Sequence, residues 1–153
     1  MKELKVTPIK NGTVIDHINK GMALKVLQIL KITGKEESTI SVAMNVATKT
    51  SIGKKDIVKI EDRELEPHEL DKIGLIAPDA TINIIRDYVV VNKHKVATPD
   101  KVEGVVRCSN PNCVASMERR MQHSSIVFSK KPVRLKCFYC EREIEDISGS
   151  IIL

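Results

Sequence analysis

The chain has 153 residues, of which 42% are hydrophobic, and its formal net charge is +5. This length suits one domain or two small ones, and the hydrophobic fraction is ordinary for a protein that buries a core. No apolar run approaches the length of about 18 residues that crosses a bilayer, and the start of the chain carries no apolar secretory segment. These features argue against a membrane partner and predict a cytoplasmic protein.

The first part of the chain alternates strand and helix patterns. Two short extended stretches surround the turn signal Asn11-Gly12. In the segment KGMALKVLQILKI, apolar residues recur at helical spacing, which predicts an amphipathic helix that ends near Gly34. From Thr39 the period changes to two and predicts a strand that buries one face, made of Ile40, Val42, Met44 and Val46.

Further elements follow in the same alternating order. The segment KKDIVKIED at 54–62 predicts a strand, and a second helix is predicted from Glu66, with Pro67 at its first position and its end before Pro78. Two more β segments, 80–86 and 88–92, follow. This order, β-α-β-β-α-β with one extra strand, is typical of the ferredoxin-like arrangement, in which two helices cover one face of an antiparallel sheet.

A turn-rich break at Thr98-Pro99-Asp100 separates the two parts of the chain. Beyond it the apolar patches are short, and all four cysteines lie there. We therefore predict an α+β chain with a ferredoxin-like domain over residues 1–97 and a small all-β, zinc-binding domain over residues 101–153.

The cysteines form a C-x4-C pair and a C-x2-C pair, at Cys108, Cys113, Cys137 and Cys140. Two pairs on separate turns can supply four thiolates to one tetrahedral zinc ion, which leaves no position open for catalytic water. A domain of about 50 residues has only a marginal core, so metal binding would supply folding free energy. We therefore predict one structural zinc ion per chain.

Two other uses of the cysteines are weaker. Two disulfides would not normally persist in a cytosolic chain. Redox chemistry at Cys137-x-x-Cys140 lacks the βαβ context in which that motif usually acts.

Polar residues in the first domain admit a functional and an ordinary structural interpretation. Asp16 and His17 follow an apolar strand, but neighbouring strand residues point to opposite faces, so they are not expected to form a dyad. Lys59 and Lys93 lie in or at the end of strands, where lysines either face solvent or bind phosphate. Taken alone, each of these residues favours an exposed surface position.

No nucleophile elbow, Walker loop or glycine-rich dinucleotide motif occurs in the sequence. Since the cysteines are assigned to zinc, no catalytic constellation remains. We therefore expect a chain that is not an enzyme.

The sequence resembles the regulatory chain of aspartate carbamoyltransferase, in order and over nearly its whole length. The resemblance rests on five strings: GTVIDHI (12–18), GKKDIVKIED (53–62), LIAPDATINIIRDYVVV (75–91), RCSNPNC (107–113) and LKCFYCE (135–141).

This resemblance implies a regulatory subunit that acts in pyrimidine biosynthesis. The first domain would bind the effectors CTP and ATP, and regulatory chains would pair through it as homodimers. The zinc domain would dock onto the catalytic chain. Carried over by position, the nucleotide site would comprise Ile9, Asp16, His17, Lys59, Tyr88, Val90 and Lys93.

Two rival functions remain open at this stage. A zinc-ribbon protein that binds nucleic acid would need a basic stripe with stacking aromatics, yet from Asp100 onward the chain has nine basic against seven acidic residues. We therefore expect no nucleic-acid partner. A small ferredoxin-like enzyme that uses Asp16 and His17 is the other rival, and it would show turnover by the isolated chain.

Overall fold

The computed structural model describes residues 9–48 and 53–153, and predictions that fall on residues 1–8 lie outside this part of the chain. Two antiparallel sheets form the architecture. The first contains β1 (Gly12–Asn19), β2 (Ile40–Ala47), β3 (Lys54–Glu61), β4 (Thr81–Arg86) and β5 (Val89–Lys95). The helices that join these strands are α1 (Ala23–Ile29) and α2 (Pro67–Ile76).

The strand order of the first sheet is β2-β3-β1-β4-β5, with every neighbouring pair antiparallel. Strands β1 to β4 have the order expected of a ferredoxin-like sheet, and β5 is the extra strand at one edge. The alternating strand and helix patterns therefore predicted this fold class correctly.

One face of the sheet packs against the helices. Ile15, Val58 and Ile82 lie side by side on β1, β3 and β4 and are almost completely buried. Val26 of α1 and Ile73 of α2 belong to the same core. Because side chains alternate along a strand, the residues between these positions lie on the opposite face, which we call the outer face.

The two helices differ in how well their ends match the prediction. Helix α2 begins as expected, with Pro67 in its first turn and a capping box between Glu66 and Glu69. Helix α1 ends at Ile29 rather than near Gly34. Lys31 adopts a left-handed conformation with φ of 59°, and the Ile32 amide donates to the Leu27 carbonyl, which is a Schellman motif. The helix therefore ends without using the glycine.

Strand β2 does not bury one face as its alternation predicts. Val42 and Met44 each remain 39% exposed, because β2 is an edge strand with a neighbour on one side only. Its pairing with β3 also shifts between Ala43 and Val46, where Asn45 has a φ of 61°. The interruption changes which side chains point to which face.

The C-terminal unit, residues 101–153, contains the second sheet. Its strands pair in the order β6 (Lys101–Glu103), β7 (Ser124–Lys130), β8 (Val133–Cys137) and β9 (Glu143–Ile144). Two single helical turns accompany them, α3 (Val114–Met117) and α4 (Ile147–Ser150). The unit is therefore mainly β, as predicted, with two short turns that the sequence patterns did not indicate.

Helix α2 joins the two units. Lys72 donates from Nζ to the carbonyl of Ile152 at 2.8 Å, and the Thr98 hydroxyl donates to the carbonyl of Gly74 at 3.2 Å. A Cβ atom on Gly74 would lie 2.6 Å from the carbonyl oxygen of Ala97, so the chain passes too close to the helix for any side chain there. The junction between the units is therefore closely packed.

None of the helices in the described ranges is both long enough and apolar enough to cross a membrane.

Candidate functional site

Two of the predicted nucleotide residues lie in one row across the outer face. Pairing aligns Lys59 of β3 with Val14 of β1, then Asn83 of β4, then Lys93 of β5. Three strand spacings of about 4.8 Å separate the Cα atoms of the two lysines by about 14 Å. Two cations therefore flank a shallow central strip of the sheet.

Asp16 and His17 lie closer together than strand alternation predicts. The β1–β3 pairing shifts between Ile15 and Ile18, and His17 has a φ of 56°. The His17 amide donates to Asp16 Oδ1 at 2.6 Å, and His17 Nδ1 lies 3.8 Å from Asp16 Oδ2. The expectation that these side chains point to opposite faces is therefore wrong, because a bulge replaces regular strand geometry at this point.

Lys55 lies beside Asp16 and His17, and the sequence analysis did not assign it to the site. Its Nζ lies 2.9 Å from Asp16 Oδ1, which makes it the ion-pair partner of that carboxylate. The signal was present in the sequence, because Lys55 and Lys59 are four residues apart on one strand and therefore share a face. The outer face thus carries Lys55 in addition to the two lysines that were predicted.

The charged groups of this face influence one another. Burial favours the neutral form of Asp16, but the Lys55 ammonium and the His17 amide outweigh it and hold the pKa of Asp16 below its ordinary value. Partial burial lowers the pKa of Lys59, and the negative charge of Asp16 acts in the opposite direction. Lys59 is therefore a partly desolvated cation, which would gain from a bound anion.

The remaining three predicted residues lie at the other end of the strands. Val90 on β5 pairs with Ile85, which in turn pairs with Gly12. Tyr88 is 67% exposed and its amide donates to the Lys10 carbonyl at 2.9 Å, next to Ile9. Ile9 itself is buried, so it can offer a ligand its backbone rather than its side chain. The outer face therefore carries exposed apolar side chains at this end, among them that of Val90, whereas the predicted charged residues lie towards the other end.

The four cysteines come together in the C-terminal unit. All four sulfur atoms lie within 4.8 Å of one another. The sulfurs of Cys108 and Cys140 are 3.5 Å apart, and those of Cys113 and Cys137 are 3.7 Å apart. Sulfurs bound to one tetrahedral zinc ion at about 2.3 Å would be about 3.8 Å apart. The cluster therefore has the dimensions of a four-thiolate metal site, and none of the four cysteines forms a disulfide.

Local backbone structure holds the thiols in place. The first pair is carried by the loop before α3, where Asn110 donates its amide to the sulfur of Cys108 at 3.4 Å and Cys113 precedes the helical turn. The second pair spans the end of β8, where the Glu141 amide donates to the Cys137 carbonyl. Each cysteine pair lies on one tight turn, which points both of its sulfurs in the same direction. A short spacing between the two cysteines of a pair is needed for this arrangement.

Three of the thiols differ in acidity. Burial raises the pKa of Cys108 to about 12 and also raises the pKa of Cys137. Burial acts in the same direction at Cys140, but hydrogen bonds from the Arg142 backbone and the Cys108 thiol lower its pKa to about 7. A bound cation would convert the buried thiols to thiolates, because metal binding displaces their protons.

Comparison with known protein families gives two matches that follow one another along the chain. Residues 4–97 match the model described as aspartate carbamoyltransferase regulatory chain, allosteric domain. Residues 100–148 match the model of the metal binding domain of the same regulatory chain.

Individual relatives agree with these matches over nearly their whole lengths. A protein of Methanothrix thermoacetophila is 54% identical over 152 residues, which cover 99% of this chain and 98% of the relative. One of Pyrococcus abyssi is 51% identical over 148 residues and 95% of each chain. One of Thermococcus gammatolerans is 51% identical over 153 residues, with 99% and 100% covered.

All three relatives are named aspartate carbamoyltransferase regulatory chain. The names support a regulatory, non-catalytic polypeptide and give no support to a zinc-ribbon protein that binds nucleic acid. With two family models that together cover almost the entire sequence, the chain belongs to the family of aspartate carbamoyltransferase regulatory chains.

Proposed function

We propose that this chain binds CTP and ATP on the outer face of its first sheet and passes the effect of binding to aspartate carbamoyltransferase catalytic chains. The observation that supports this most directly is the distribution of apolar, polar and charged groups over that face. Apolar and backbone groups near Ile9, Tyr88 and Val90 suit a base. Lys59 and Lys93 offer charge to phosphates, and Asp16 and His17 offer polar groups to the sugar.

The proposed ion at Cys108, Cys113, Cys137 and Cys140 is structural zinc. Four thiolates satisfy a tetrahedral zinc ion and leave no ligand position for substrate or water. In a cytoplasmic setting, which we also propose, the thiols would stay reduced and available to the metal. The ion would connect the loop before α3 with the end of β8, which are distant in sequence.

The surface beside the cysteines supports docking to the catalytic chain. Phe138 and Tyr139 pack edge to face with ring centres 5.3 Å apart, and both remain substantially exposed. Met117 is 72% exposed on α3. Exposed aromatic and methionine side chains are enriched at protein interfaces, so this surface is our candidate for the catalytic partner.

Pairing of two regulatory chains is proposed to use the first domain. Strand β2 is an open edge of the sheet, and its Val42 and Met44 are partly exposed. An uncovered edge of this kind readily pairs with another strand. We also propose that the chain divides functionally at residues 98–100, with the effector domain over 1–97 and the docking domain over 101–153.

Reconstitution tests the regulatory function. The full chain is combined with an aspartate carbamoyltransferase catalytic chain, and activity is measured against substrate concentration with and without saturating CTP or ATP. We expect the effective substrate affinity to change by about fivefold or more, as is typical of allosteric coupling. An unchanged substrate response, in a complex whose mass confirms assembly, would reject the regulatory role.

Substitution of Lys59 tests the proposed nucleotide face. Lys59→Gln keeps a polar side chain but removes the partly buried charge. We expect CTP affinity to fall roughly tenfold or more, because hydrogen bonds to charged groups contribute strongly to binding. Titration calorimetry of the full chain measures the effect. Lys35→Gln, an exposed lysine in the loop after α1, is the matched control and should leave the affinity unchanged.

A further inference from the structure

A cavity of about 440 Å³ lies between the two units, at the end of α2. One wall belongs to the first unit and includes Leu75, Ile76 and Pro78. The facing wall is the hairpin between β7 and β8, with Pro132 and Val133. Pockets of about 300–1,000 Å³ with mainly apolar walls, often at domain interfaces, are the usual sites of small ligands. This cavity has that size and position, and its lining includes none of the assigned nucleotide residues or cysteines.

Both walls are held in place by contacts outside the cavity. Leu75 and Ile76 belong to the buried core, where close packing keeps side chains in one arrangement. Across the cavity, the hairpin turns through Lys131 and Pro132, and the Ser129 hydroxyl donates to the Pro132 carbonyl at 2.7 Å. The walls are therefore formed before a ligand arrives, which lowers the entropic cost of binding.

The charged groups around the cavity leave one cation without a partner. Three residues of the lining are charged, namely Asp79, Lys130 and Lys131. Lys130 Nζ lies 2.9 Å from Asp100 Oδ1, and Asp79 Oδ1 lies 3.8 Å from Lys95 Nζ. Among the residues that the structure describes, Lys131 has no carboxylate within 4.0 Å. The lining therefore combines apolar walls with one unpaired ammonium group.

We propose that this cavity binds a small carboxylic acid with an apolar body, whose carboxylate is held by Lys131. The two walls would cover the apolar body and remove it from water, which favours binding. One ammonium group matches one carboxylate, whereas a di- or triphosphate would need several cations. The proposed ligand is therefore of a different chemical class from CTP and ATP, and its site does not depend on the nucleotide site of the outer face.

A ligand in this position would contact both units at once. One wall is the end of α2 in the first unit, and the other is the β7–β8 hairpin of the unit that carries the cysteines. A ligand that binds one arrangement of two units better than others shifts the population towards that arrangement. The cavity is therefore a place where a small molecule could control the junction between the units.

Nuclear magnetic resonance of the full, metal-loaded chain tests the proposal, with 4-phenylbutyrate as the probe and 4-phenylbutanol as its uncharged counterpart. We expect both to shift the backbone amide signals of Ile76 and Val133, one on each wall, in a saturable way. Lys131→Glu should weaken binding of the acid by roughly five- to tenfold and leave the alcohol unaffected, because only the acid is charged. Arg120→Glu, an exposed position of the same unit outside the lining, changes the net charge equally and should affect neither probe.

The uncharged probe keeps the proposal open to contradiction. Binding of the alcohol by Lys131→Glu shows that the cavity is intact in the variant, so that a loss confined to the acid supports the role of the lysine. Equal affinities of the variant and the unchanged chain for the acid would overturn that role, and so would equal losses for the two probes. Saturable shifts at His17 and Lys59 in place of the two walls would locate the probe on the outer face and reject the site.

Discussion

Removal of metal from the four cysteines is expected to unfold the C-terminal unit and to abolish binding to the catalytic chain. The unit is small, and Cys113 and Cys137 are buried at its centre. Without an ion, the loop before α3 and the end of β8 would lose the ligand that joins them. Small zinc domains draw much of their folding free energy from the metal, on the order of 10 kcal/mol. Far-UV circular dichroism during titration with a chelator measures the loss.

The first sheet should persist in the metal-free chain, with a lower melting temperature. Val105, Val106 and Ile151 of the C-terminal unit belong to the same core cluster as Ile73 of α2, so their loss would expose part of that helix. Cys137→Ser should reproduce the effect of the chelator, whereas Ser116→Ala, an exposed serine of the same unit, should not. A metal-free chain that keeps its full circular dichroism and its affinity for the catalytic chain would contradict the structural role of the ion.

Replacement of Asp56 by alanine is expected to lower the free energy of unfolding of the first domain by about 3–5 kcal/mol. This carboxylate is fully buried and accepts three backbone hydrogen bonds of 3.0 Å, from the amides of Gly21, Ala23 and Asn45. It therefore fixes the start of α1 and the interruption of β2 at the same time. Alanine would remove the acceptor of all three amides, of which that of Ala23 is buried.

Denaturant titration of the first domain measures this change. Asp56→Asn should cost less than alanine, because one amide oxygen still accepts from two of the three donors while the NH2 group opposes the third. Asp71→Ala, an exposed position on α2, is the control and should change stability by less than about 0.5 kcal/mol. A loss below about 1 kcal/mol for Asp56→Ala would show that the backbone amides find other acceptors.

Patterns among residues close together in the sequence predicted most of the strands and helices. Two-residue alternation located β3, Pro67 marked the start of α2, and the close spacing within each cysteine pair predicted the cluster of sulfurs. These features depend on neighbours along the chain, so one sequence contains enough information to find them.

Features that depend on which strands pair could not be predicted from such local patterns. The bulge that brings Asp16 to His17 arises where β1 shifts its register against β3. The ion pair of Asp16 with Lys55 joins residues 39 positions apart. Alternation along a single strand cannot reveal which residue of a distant strand lies opposite. For this reason the contact of Lys55 with Asp16 was not predicted, and the exposed side chains of β2 were expected to be buried.

The contacts of α2 place the two proposed activities on opposite sides of a single layer of strands. The proposed effector residues lie on the outer face, whereas α2 lies against the inner face and reaches Ile152 through Lys72. Any change in strand spacing under a bound nucleotide would therefore reach the docking unit through the thickness of the sheet, without travelling along its length.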